Sequence, residues 1–597
     1  MRTRSVHKLR ITSSLVFAAA VGSAIVACSS RQGFHQDAPL LEADAGTPDA
    51  APPTCGIHCS RDLKQVLDGC DGAETVVATC NADQGCGEGR CVDACTAAAL
   101  TKGSVGCDFW TVAPVSTGQA GSCLAVLIAN TWDRAVTLEA EYGDRALDIS
   151  KSAYRVERPG ESSLHIPLEG PLSPGQVAVI FLAHNPSIPG AHACPSDVTP
   201  AVPGEPVQST TTKKPGFHIK ADAPVSAYSI APYGGAASYT PTATLLLPSS
   251  SWTTSYMTVT PFRFTRSNSA PLTPRTLQIV AAEDDTEIRM RPTSDIAPGP
   301  GVEGARAGEI QTWTLARGEV LQVSQHLPLT GSPISTSKPV GVFGGAGVIN
   351  QPYESGWGDW LQQQIPPLSH WGTEYAVVPF LSRIDSLSGT TRERVPYTIV
   401  AAADGTMLSY EPSRPRDAPE LLAAGESANF VTDEIFVVKS QDASHPFHVN
   451  VYMTGGSSGA GVGTNTLGDP DWVNIAPTAQ YLDRYVFFTD YTYPETSLTV
   501  VRKKTPSGFM PVELECAGDL TGFQPLGSDY EYAWVRLTRG FVGQPFPKGI
   551  CGYGRQEAHS KGPFSITVWG IGIAASYGYV GGTGLRPIND LPPAVLN

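Results

Sequence analysis

The chain has 597 residues, with 41 Lys and Arg against 56 Asp and Glu, and a formal net charge of −15 at pH 7. This acidic balance argues against a nucleic-acid partner, because phosphate groups require a basic patch on the protein. The 60 glycines and 50 prolines predict many turns between short strands, within a length that allows several domains.

The amino-terminal segment, residues 1–27, has the layout of a secretory signal, with a basic start followed by an apolar stretch. It leads into Ile25-Val26-Ala27-Cys28, which is similar to the lipobox at which bacterial lipoproteins are cleaved and acylated. We therefore expect anchoring to the membrane through a lipid on Cys28; an ordinary signal peptide with a chance cysteine is the alternative. Ser29 is not the aspartate that retains lipoproteins at the inner membrane of enteric bacteria. The expected location is therefore the cell envelope, at the outer membrane, with exposure at the cell surface as a hypothesis.

Residues 28–54 are rich in Ala, Pro, Asp and Ser and are predicted to form a flexible tether. The next segment, residues 55–107, is rich in cysteine. It contains Cys55, Cys59, Cys70, Cys80, Cys86, Cys91, Cys95 and Cys107. In an exported protein this density predicts a small module held by disulfides, whose pairing the sequence leaves open. A zinc site is the alternative.

Four further cysteines lie in the large region, residues 108–582, which is followed by a tail, residues 583–597. Cys516 and Cys551 stand alone in the last quarter of the chain and are expected to pair. Closing the loop between them would stabilise the fold by about 4 kcal/mol on the chain-entropy model. Cys123 and Cys194 would then pair by elimination.

The large region repeats a proline at similar intervals. Pro224, Pro339, Pro446 and Pro563 are 115, 107 and 117 residues apart, and each precedes a short β-branched or aromatic run. Each proline is expected to open a strand, where its missing N–H does not interrupt a ladder.

Two further markers recur in the same region. A tyrosine follows a proline by eight residues in three places: Pro248 and Tyr256, Pro367 and Tyr375, and Pro477 and Tyr485. Residues 278–286 and 398–406 share a strand, an acidic turn and a threonine, which is typical of a β-hairpin. These markers predict an all-β fold of four related units of about 110 residues each. The units form tandem or packed β-sandwich-like domains or, alternatively, a large β-propeller-like ring.

From about residue 107 to 582 the chain resembles the IgG Fc-binding protein N-terminal family. The motifs that carry the resemblance are Gly106–Trp110, Leu245–Pro248, Lys338–Gly345, Gln363–Pro367, Trp371-Gly372, Gly468–Pro470 and Ser576–Tyr579. With its cysteine-rich leader the chain looks like a bacterial, myxobacterial-type lipoprotein member of that family. The resemblance implies an extracellular binding or adhesion surface, and it does not identify a ligand. Members often carry a cysteine pair around the segment 346–360, and this chain has no cysteine there.

Catalytic motifs are absent from the sequence, which has no two-histidine zinc-protease helix, no Gly-x-Ser-x-Gly elbow and no phosphate loop. Asp469 and Asp471 flank Pro470, and two such carboxylates suit calcium, but the pattern is more typical of a solvated turn. We therefore predict a protein that is not an enzyme and that has no catalytic residues, no metal and no cofactor.

Aromatic residues are better candidates for a binding surface. Trp357 and Trp360 lie among glycines and are suited to stacking on sugars or anchoring a protein partner, whereas Trp371 is expected to pack in the fold. The predicted function is binding of an extracellular protein or glycan by a lipid-anchored envelope protein. An envelope scaffold and a carbohydrate-active enzyme are the alternatives.

Overall fold

The structure is a computed structural model that describes residues 56–69, 74–115, 121–158, 163–188, 190–204, 207–262, 274–351, 357–384, 392–456 and 467–592. Cys28, Cys55 and Cys70 lie outside these described residues. Across the described ranges the fold is all-β with one α-helix, which confirms the predicted fold class. No helix in this part of the chain is long and apolar enough to cross a membrane.

The cysteine-rich module contains five short strands and the helix. They are β1 (Gly56–Cys59), β2 (Gln65–Gly69), β3 (Thr75–Thr79), β4 (Gln84–Gly87), β5 (Arg90–Asp93) and α1 (Ala94–Thr101). The module is held by the disulfides Cys59–Cys86, Cys80–Cys91 and Cys95–Cys107. These six cysteines are therefore disulfide partners and not zinc ligands. The last bridge joins α1 to the first strand of the large region.

The large region folds into four units. Units 1 and 2 contain β6 (Gly106–Thr111), β7 (Leu124–Asn130), β8 (Leu138–Tyr142), β9 (Arg145–Leu147), β10 (Ala153–Glu157), β11 (Leu164–Pro167), β12 (Val177–His184), β13 (Val202–Pro203), β14 (Thr212–Pro215), β15 (Phe217–Ala231), β16 (Thr242–Leu245), β17 (Thr253–Met257), β18 (Arg275–Ala281), β19 (Thr286–Met290), β20 (Gln311–Leu315), β21 (Glu319–Gln325), β22 (Pro333–Asn350) and β23 (Gly358–Gln364). Unit 2 begins at β17, and β14 joins its sheet by pairing with β21.

Units 3 and 4 continue the chain. They contain β24 (Glu374–Val377), β25 (Val395–Ala401), β26 (Thr406–Glu411), β27 (Leu421–Leu422), β28 (Ser427–Thr432), β29 (Phe436–Ser440), β30 (Phe447–Met453), β31 (Asp471–Asn474), β32 (Leu482–Thr489), β33 (Glu495–Lys503), β34 (Val512–Leu514), β35 (Gly518–Asp519), β36 (Gln524–Leu526), β37 (Tyr530–Arg539), β38 (Val542–Pro545), β39 (Ile550–Cys551), β40 (Gly554–Gly572) and β41 (Ala575–Val580). Unit 4 begins at β32.

Each unit is built on two layers of strands. In unit 3 the layers are separate sheets, with the orders β24-β29-β26-β27 and β28-β25-β30-β31. In the other three units one long strand, β15, β22 or β40, changes pairing partners along its length and belongs to both layers. Two layers that share a bent strand enclose a core without a break in the ladder.

The repeated prolines lie where the chain passes from one layer to the other. Pro446 directly precedes β30, as expected, but Pro224, Pro339 and Pro563 lie inside β15, β22 and β40. The expectation that every proline opens a strand is therefore wrong for these three. Proline is tolerated inside these strands for the same reason that it is tolerated at the start of a strand. A residue at the crossover has left one ladder and has not yet entered the next, so it needs no N–H donor.

The three repeated tyrosines clamp these crossovers. The hydroxyl groups of Tyr256, Tyr375 and Tyr485 donate to the carbonyl oxygens of Val340, Phe447 and Phe564, at 2.6, 2.6 and 2.5 Å. Each acceptor is the residue directly after a repeated proline. Each hydroxyl also accepts a hydrogen bond from a backbone N–H three residues before the tyrosine. The repeat therefore encodes a structural bond that is made in units 2, 3 and 4.

The repeated acidic turns are arches and not hairpins. Strand β18 pairs with β21 and β22, whereas β19 pairs with β20 and another part of β22, so the turn between them joins the two layers. The turn of unit 3 does the same between β25 and β26. In both turns the side chain of an aspartate, Asp284 or Asp404, accepts a hydrogen bond of 2.9 Å, and the donor is a backbone N–H of the next turn along the chain. The prediction of a hairpin failed because hairpins and arches share the same turn residues.

The four units close into a ring. The short strands β16, β23, β31 and β41 lie at its centre, each in contact with the next, and β41 also contacts β16. The two ends of the ring meet where Gly103 bridges Gly584 and the Leu585 N–H donates to the Lys102 carbonyl at 2.5 Å. The structure therefore combines the two predicted arrangements, since sandwich-like units are joined in a ring.

The ring has two different ends. We call base end the one that holds the crossovers and arches, and loop end the opposite one. The module lies at the base end and spans units 1 and 4, because Lys64 pairs with Asp133 at 2.6 Å and Arg61 pairs with Asp483 at 2.8 Å. Arg61 also donates to the carbonyl of Ser560, close to a crossover. The module thus bridges the seam at which the ring closes.

Two disulfides lie inside the ring. Cys516 bonds to Cys551 and Cys123 bonds to Cys194, which are the pairings that the sequence analysis expects. Both sulfur bridges belong to the core that units 1 and 4 share, which includes Phe181, Tyr228 and Phe487. The core is therefore continuous across the seam between the first and last units.

Candidate functional site

The ring axis is fixed by side-chain amides. The Gln363 amide on β23 donates to the carbonyl of Ala243 on β16 at 2.8 Å and to that of Gly578 on β41 at 3.4 Å. Asn474 on β31 donates to the Gln364 carbonyl at 3.0 Å. Central strands of all four units are therefore linked by buried polar contacts, which specify their relative positions.

The connections between strands gather at the loop end. Leu467 of unit 3 bridges Ile573 of unit 4, and the Gly455 N–H of unit 3 donates to the Gln351 carbonyl of unit 2 at 2.7 Å. Gly235 of unit 1 lies against the Tyr493 hydroxyl of unit 4, so closely that a Cβ there would be 1.9 Å from that oxygen. Loops of all four units therefore meet around the axis. Binding residues are commonly carried by loops on such a rigid frame.

Each unit exposes a large apolar side chain at this end. Tyr239, Phe262, Ile384 and Ile573 come from units 1, 2, 3 and 4 and are 36–59% exposed. Tyr239 also has a φ of 62°, a conformation that is costly for a bulky residue and that recurs at functional sites. These four side chains are the candidate interaction surface of the loop end.

Three buried carboxyl groups lie directly beneath these loops. Asp359 is the second residue of β23, Asp469 precedes β31 and Asp471 begins β31, and all three are at most 1% exposed. They face the start of β41, where Ser576 donates through its N–H to Asp359 at 3.4 Å and through its hydroxyl to the Asp469 carbonyl at 2.5 Å. One carboxyl oxygen of each aspartate has no hydrogen-bond partner among the described residues.

Burial controls the charge of these three groups. It raises the pKa of Asp469 to about 8 and the pKa values of Asp359 and Asp471 well above their usual range, and the proximity of the other two carboxyls raises that of Asp359 further. Arg383 opposes the shift of Asp469, but its guanidinium is bound to buried Glu393 at 2.7 Å. The cluster is therefore largely protonated at neutral pH. Within the described ranges no group of three or more His, Cys, Asp or Glu side chains is arranged to hold a metal ion.

The sequence interpretation of this segment is therefore corrected in one respect. Asp469 and Asp471 are buried and do not form a solvated turn. Sequence reasoning also missed Asp359, although a signal was present. Asp359 and Asp469 each lie eight residues before a repeated proline, Pro367 or Pro477, so the repeat itself aligns them.

The two candidate tryptophans have different environments. Trp360 is 0% exposed and belongs to the core shared with unit 1, so the expectation that it lies on a binding surface is wrong. Its position on β23 explains this, because alternation along a strand turns Trp360 towards the neighbouring unit. Trp357 lies just before β23 at the loop end, is half-buried, and remains a candidate. Trp371 is buried, as expected.

A small cavity lies on the axis at the base end. It has a volume of about 50 Å³ and is lined by His370, His448 and Asn474 among apolar residues. Burial lowers the pKa of both histidines to about 4, so that they are neutral at pH 7. A cavity of this size holds a few water molecules, and it is too small to accept a macromolecular ligand.

The fold and the loop end define a disulfide-bonded, all-β ring that carries loops from four units at one end. Residues 242–570 match the family model described as IgGFc binding protein. This match covers more than half of the chain, and the chain belongs to the IgGFc-binding protein family.

A human protein is similar to part of the chain. The IgGFc-binding protein of Homo sapiens is 26% identical over 231 residues, which are 39% of this chain and 4% of the human protein. The chain thus spans a small part of the length of that relative. No solved structure matches the chain.

Proposed function

We propose that this protein is a non-catalytic lipoprotein of the cell envelope, anchored through Cys28, that binds an extracellular protein or glycan with the loop end of its ring. In this proposal residues 1–27 are a cleaved signal and residues 28–54 are the tether. The protein is anchored in the outer membrane. No cofactor, metal or nucleic acid takes part.

The position of the module carries the proposal. The amino-terminal segment enters the fold through the module, which contacts the crossover of unit 4 at the base end. In this proposal the tether is attached at the base end, so the loop end is the end of the ring farther from the point of attachment. The four exposed apolar residues of the loops then face the surroundings of the cell, where an extracellular ligand is accessible.

The family supports a binding role and leaves the ligand open. The human relative is named for binding the Fc part of IgG. Its similarity to this chain covers 4% of its length, so we transfer only the general role of an extracellular binding surface. The absence of cysteine from 346–360, close to the loop end, is a reason to expect a different ligand.

Localisation is tested by treating intact producing cells with protease and identifying released peptides by mass spectrometry. Release of peptides from the described region by intact cells supports the proposal, whereas release only after lysis would refute surface exposure and favour a periplasmic scaffold. The variant Cys28→Ser is the matched control for the anchor. It is expected to move the protein from the membrane fraction to the soluble fraction.

Binding is tested with the detergent-extracted full chain on a glycan array and on immobilised human IgG Fc. The double variant Tyr239→Ser, Ile573→Ser is expected to lose at least tenfold in affinity for whichever probe the wild type binds. The control is Met407→Ser, Leu421→Ser, two exposed residues that pair at the base end. Equal loss in both double variants, or binding of no probe, would contradict binding at the loop end.

A further inference from the structure

A groove lies on the outside of the seam between units 1 and 4. Strands β10 and β12 of unit 1 and β32 and β40 of unit 4 contribute its walls, and its volume is about 190 Å³. Drug-sized ligands occupy pockets of about 300–1,000 Å³, so this seam groove has room for one small chemical group.

The seam groove does not belong to the repeated framework. Strands β10 and β11 extend the sheet of unit 1 beyond β12, in the order β11-β10-β12-β7-β15. Units 2 and 4 also have strands beyond the corresponding position, β14 beside β21 and β38-β39 beside β37, whereas the described sheet of unit 3 ends at β28. The strands at this position therefore differ between the units, and the seam groove is a feature of β10 in unit 1 and not of the common framework.

The inner wall of the seam groove is aromatic and rigid. Phe488 is 5% exposed, and the ring of Tyr491 lies 5.7 Å from it and 5.6 Å from the ring of Tyr553. Gly554, with a φ of 89°, leaves space for the Tyr491 hydroxyl, which a Cβ would approach to 2.6 Å. The Arg158 guanidinium donates to the Tyr491 carbonyl and fixes the backbone. Phe488 and Tyr491 both line the seam groove, so this wall offers aromatic side chains to a ligand.

The rim of the seam groove offers both donors and acceptors. Arg155 and Glu157 are two residues apart on β10 and therefore lie on the same face. Their closest charged atoms are 3.8 Å apart, and the side chains are 36% and 56% exposed, so the pair is loose. Gln176 lines the same groove. Its backbone is held in place by the hydrogen bonds that its own N–H and carbonyl groups make.

Arg555 adds a donor at the bottom of the seam groove. Two of its nitrogens are occupied, since Nη1 binds Glu515 at 2.7 Å and Nη2 binds Glu557. Its Nε is buried and has no hydrogen-bond partner among the described residues. A Cβ placed on Gly175 would lie 3.9 Å from this nitrogen. Because Gly175 lines the groove, the Nε of Arg555 points towards the lining of the groove. A buried donor without a partner is unfavourable unless a ligand or water satisfies it.

Each charged side chain that lines the seam groove has a partner of opposite charge. Glu557 is shared between Arg555 and Arg484, Glu515 pairs with Arg555, and Glu157 lies beside Arg155. A balanced rim favours neither an anion nor a cation. It suits a neutral ligand whose groups both donate and accept hydrogen bonds, and sugar hydroxyls do both.

We propose that the seam groove binds one neutral hexose residue of a glycan. The apolar face of the sugar ring packs on Tyr491, and its hydroxyls bond with Arg155, Glu157, Gln176 and the Nε of Arg555. This site is separate from the loop end, so the proposal does not rest on binding there.

The proposal is tested by saturation-transfer NMR with the full chain and methyl glycosides of glucose, galactose, mannose and N-acetylglucosamine. At least one glycoside is expected to receive saturation at its ring C–H protons. Arg155→Ala and Gln176→Ala are each expected to weaken its affinity at least fivefold. The matched control is Arg416→Ala, an exposed arginine of unit 3, which is expected to leave the affinity unchanged.

Three results would overturn the proposal. They are binding of none of the glycosides, preferential binding of methyl glucuronide, and unchanged affinity in both groove variants when their circular dichroism is native. The double variant Tyr239→Ser, Ile573→Ser is expected to retain glycoside binding. Failure of the seam groove is thereby distinguished from failure of the loop end.

Discussion

The buried carboxyl cluster predicts an unusual dependence of stability on pH. The pKa of Asp469 is about 8 in the folded protein, because burial disfavours the charged form. The pKa of an aspartate in an unfolded chain is about 4. Between these values the folded state keeps a proton that the unfolded state loses. The contribution of Asp469 to stability is therefore complete below about pH 4 and declines as the pH rises towards 8.

The magnitude follows from proton linkage. One retained proton lowers the free energy of unfolding by about 1.4 kcal/mol for each pH unit. In Asp469→Asn the amide replaces a protonated carboxyl group of similar shape and cannot ionise. Relative to wild type, the variant should therefore gain about 3 kcal/mol in free energy of unfolding when the pH is raised from 5 to 7.

The assay is urea denaturation of both proteins at pH 5, 6 and 7, followed by circular dichroism, with refolding checked at each pH. The control is Asp417→Asn, at an aspartate whose side chain is 73% exposed, and its difference from wild type should stay constant within about 0.5 kcal/mol. A constant difference for Asp469→Asn as well would refute the reasoning. It would mean that Asp469 ionises in the folded protein as readily as in the unfolded chain.

Two further predictions concern the framework. Tyr375→Phe should lower the free energy of unfolding by about 2 kcal/mol in urea denaturation, because the buried Phe447 carbonyl loses its donor. The control is Tyr397→Phe, which should cause no loss, since the Tyr397 hydroxyl has no hydrogen-bond partner among the described residues. Equal effects of the two would argue against the clamp. Replacing both Cys516 and Cys551 by Ala should lower the stability by about 2–4 kcal/mol in the same assay, and no change would mean that the bridge does not constrain the unfolded chain.

The ring explains how a small repeat supports a varied surface. The clamps, arches and crossovers of the units are concentrated at the base end, where Tyr256, Tyr375 and Tyr485 make the same bond three times. The loop end carries different residues in each unit, such as Tyr239 and Ile573. The repeated residues therefore hold the frame, whereas the loops differ from one unit to the next.

Local features of the structure could be predicted from the sequence. Alternating strands separated by Gly and Pro specify an all-β fold, and the even number of cysteines in the large region led to the pairs Cys516–Cys551 and Cys123–Cys194. The interval of eight residues between proline and tyrosine marked the three tyrosines as a repeated feature, although it did not predict their hydrogen bonds to the crossovers. These patterns depend on near neighbours in the chain, whose influence on backbone and side-chain direction is direct.

Other features were decided only by tertiary structure. Asp359 meets Asp469 because β23 and β31 become neighbours on the ring axis, and Trp360 is buried because unit 1 packs over it. Strand alternation shows that one face is covered, but not which distant segment covers it. The contacts that close the ring, such as Gly103 with Gly584, join residues that flank the two ends of the large region. Their formation depends on the sum of many small bends and twists along four units, and no local pattern records that sum.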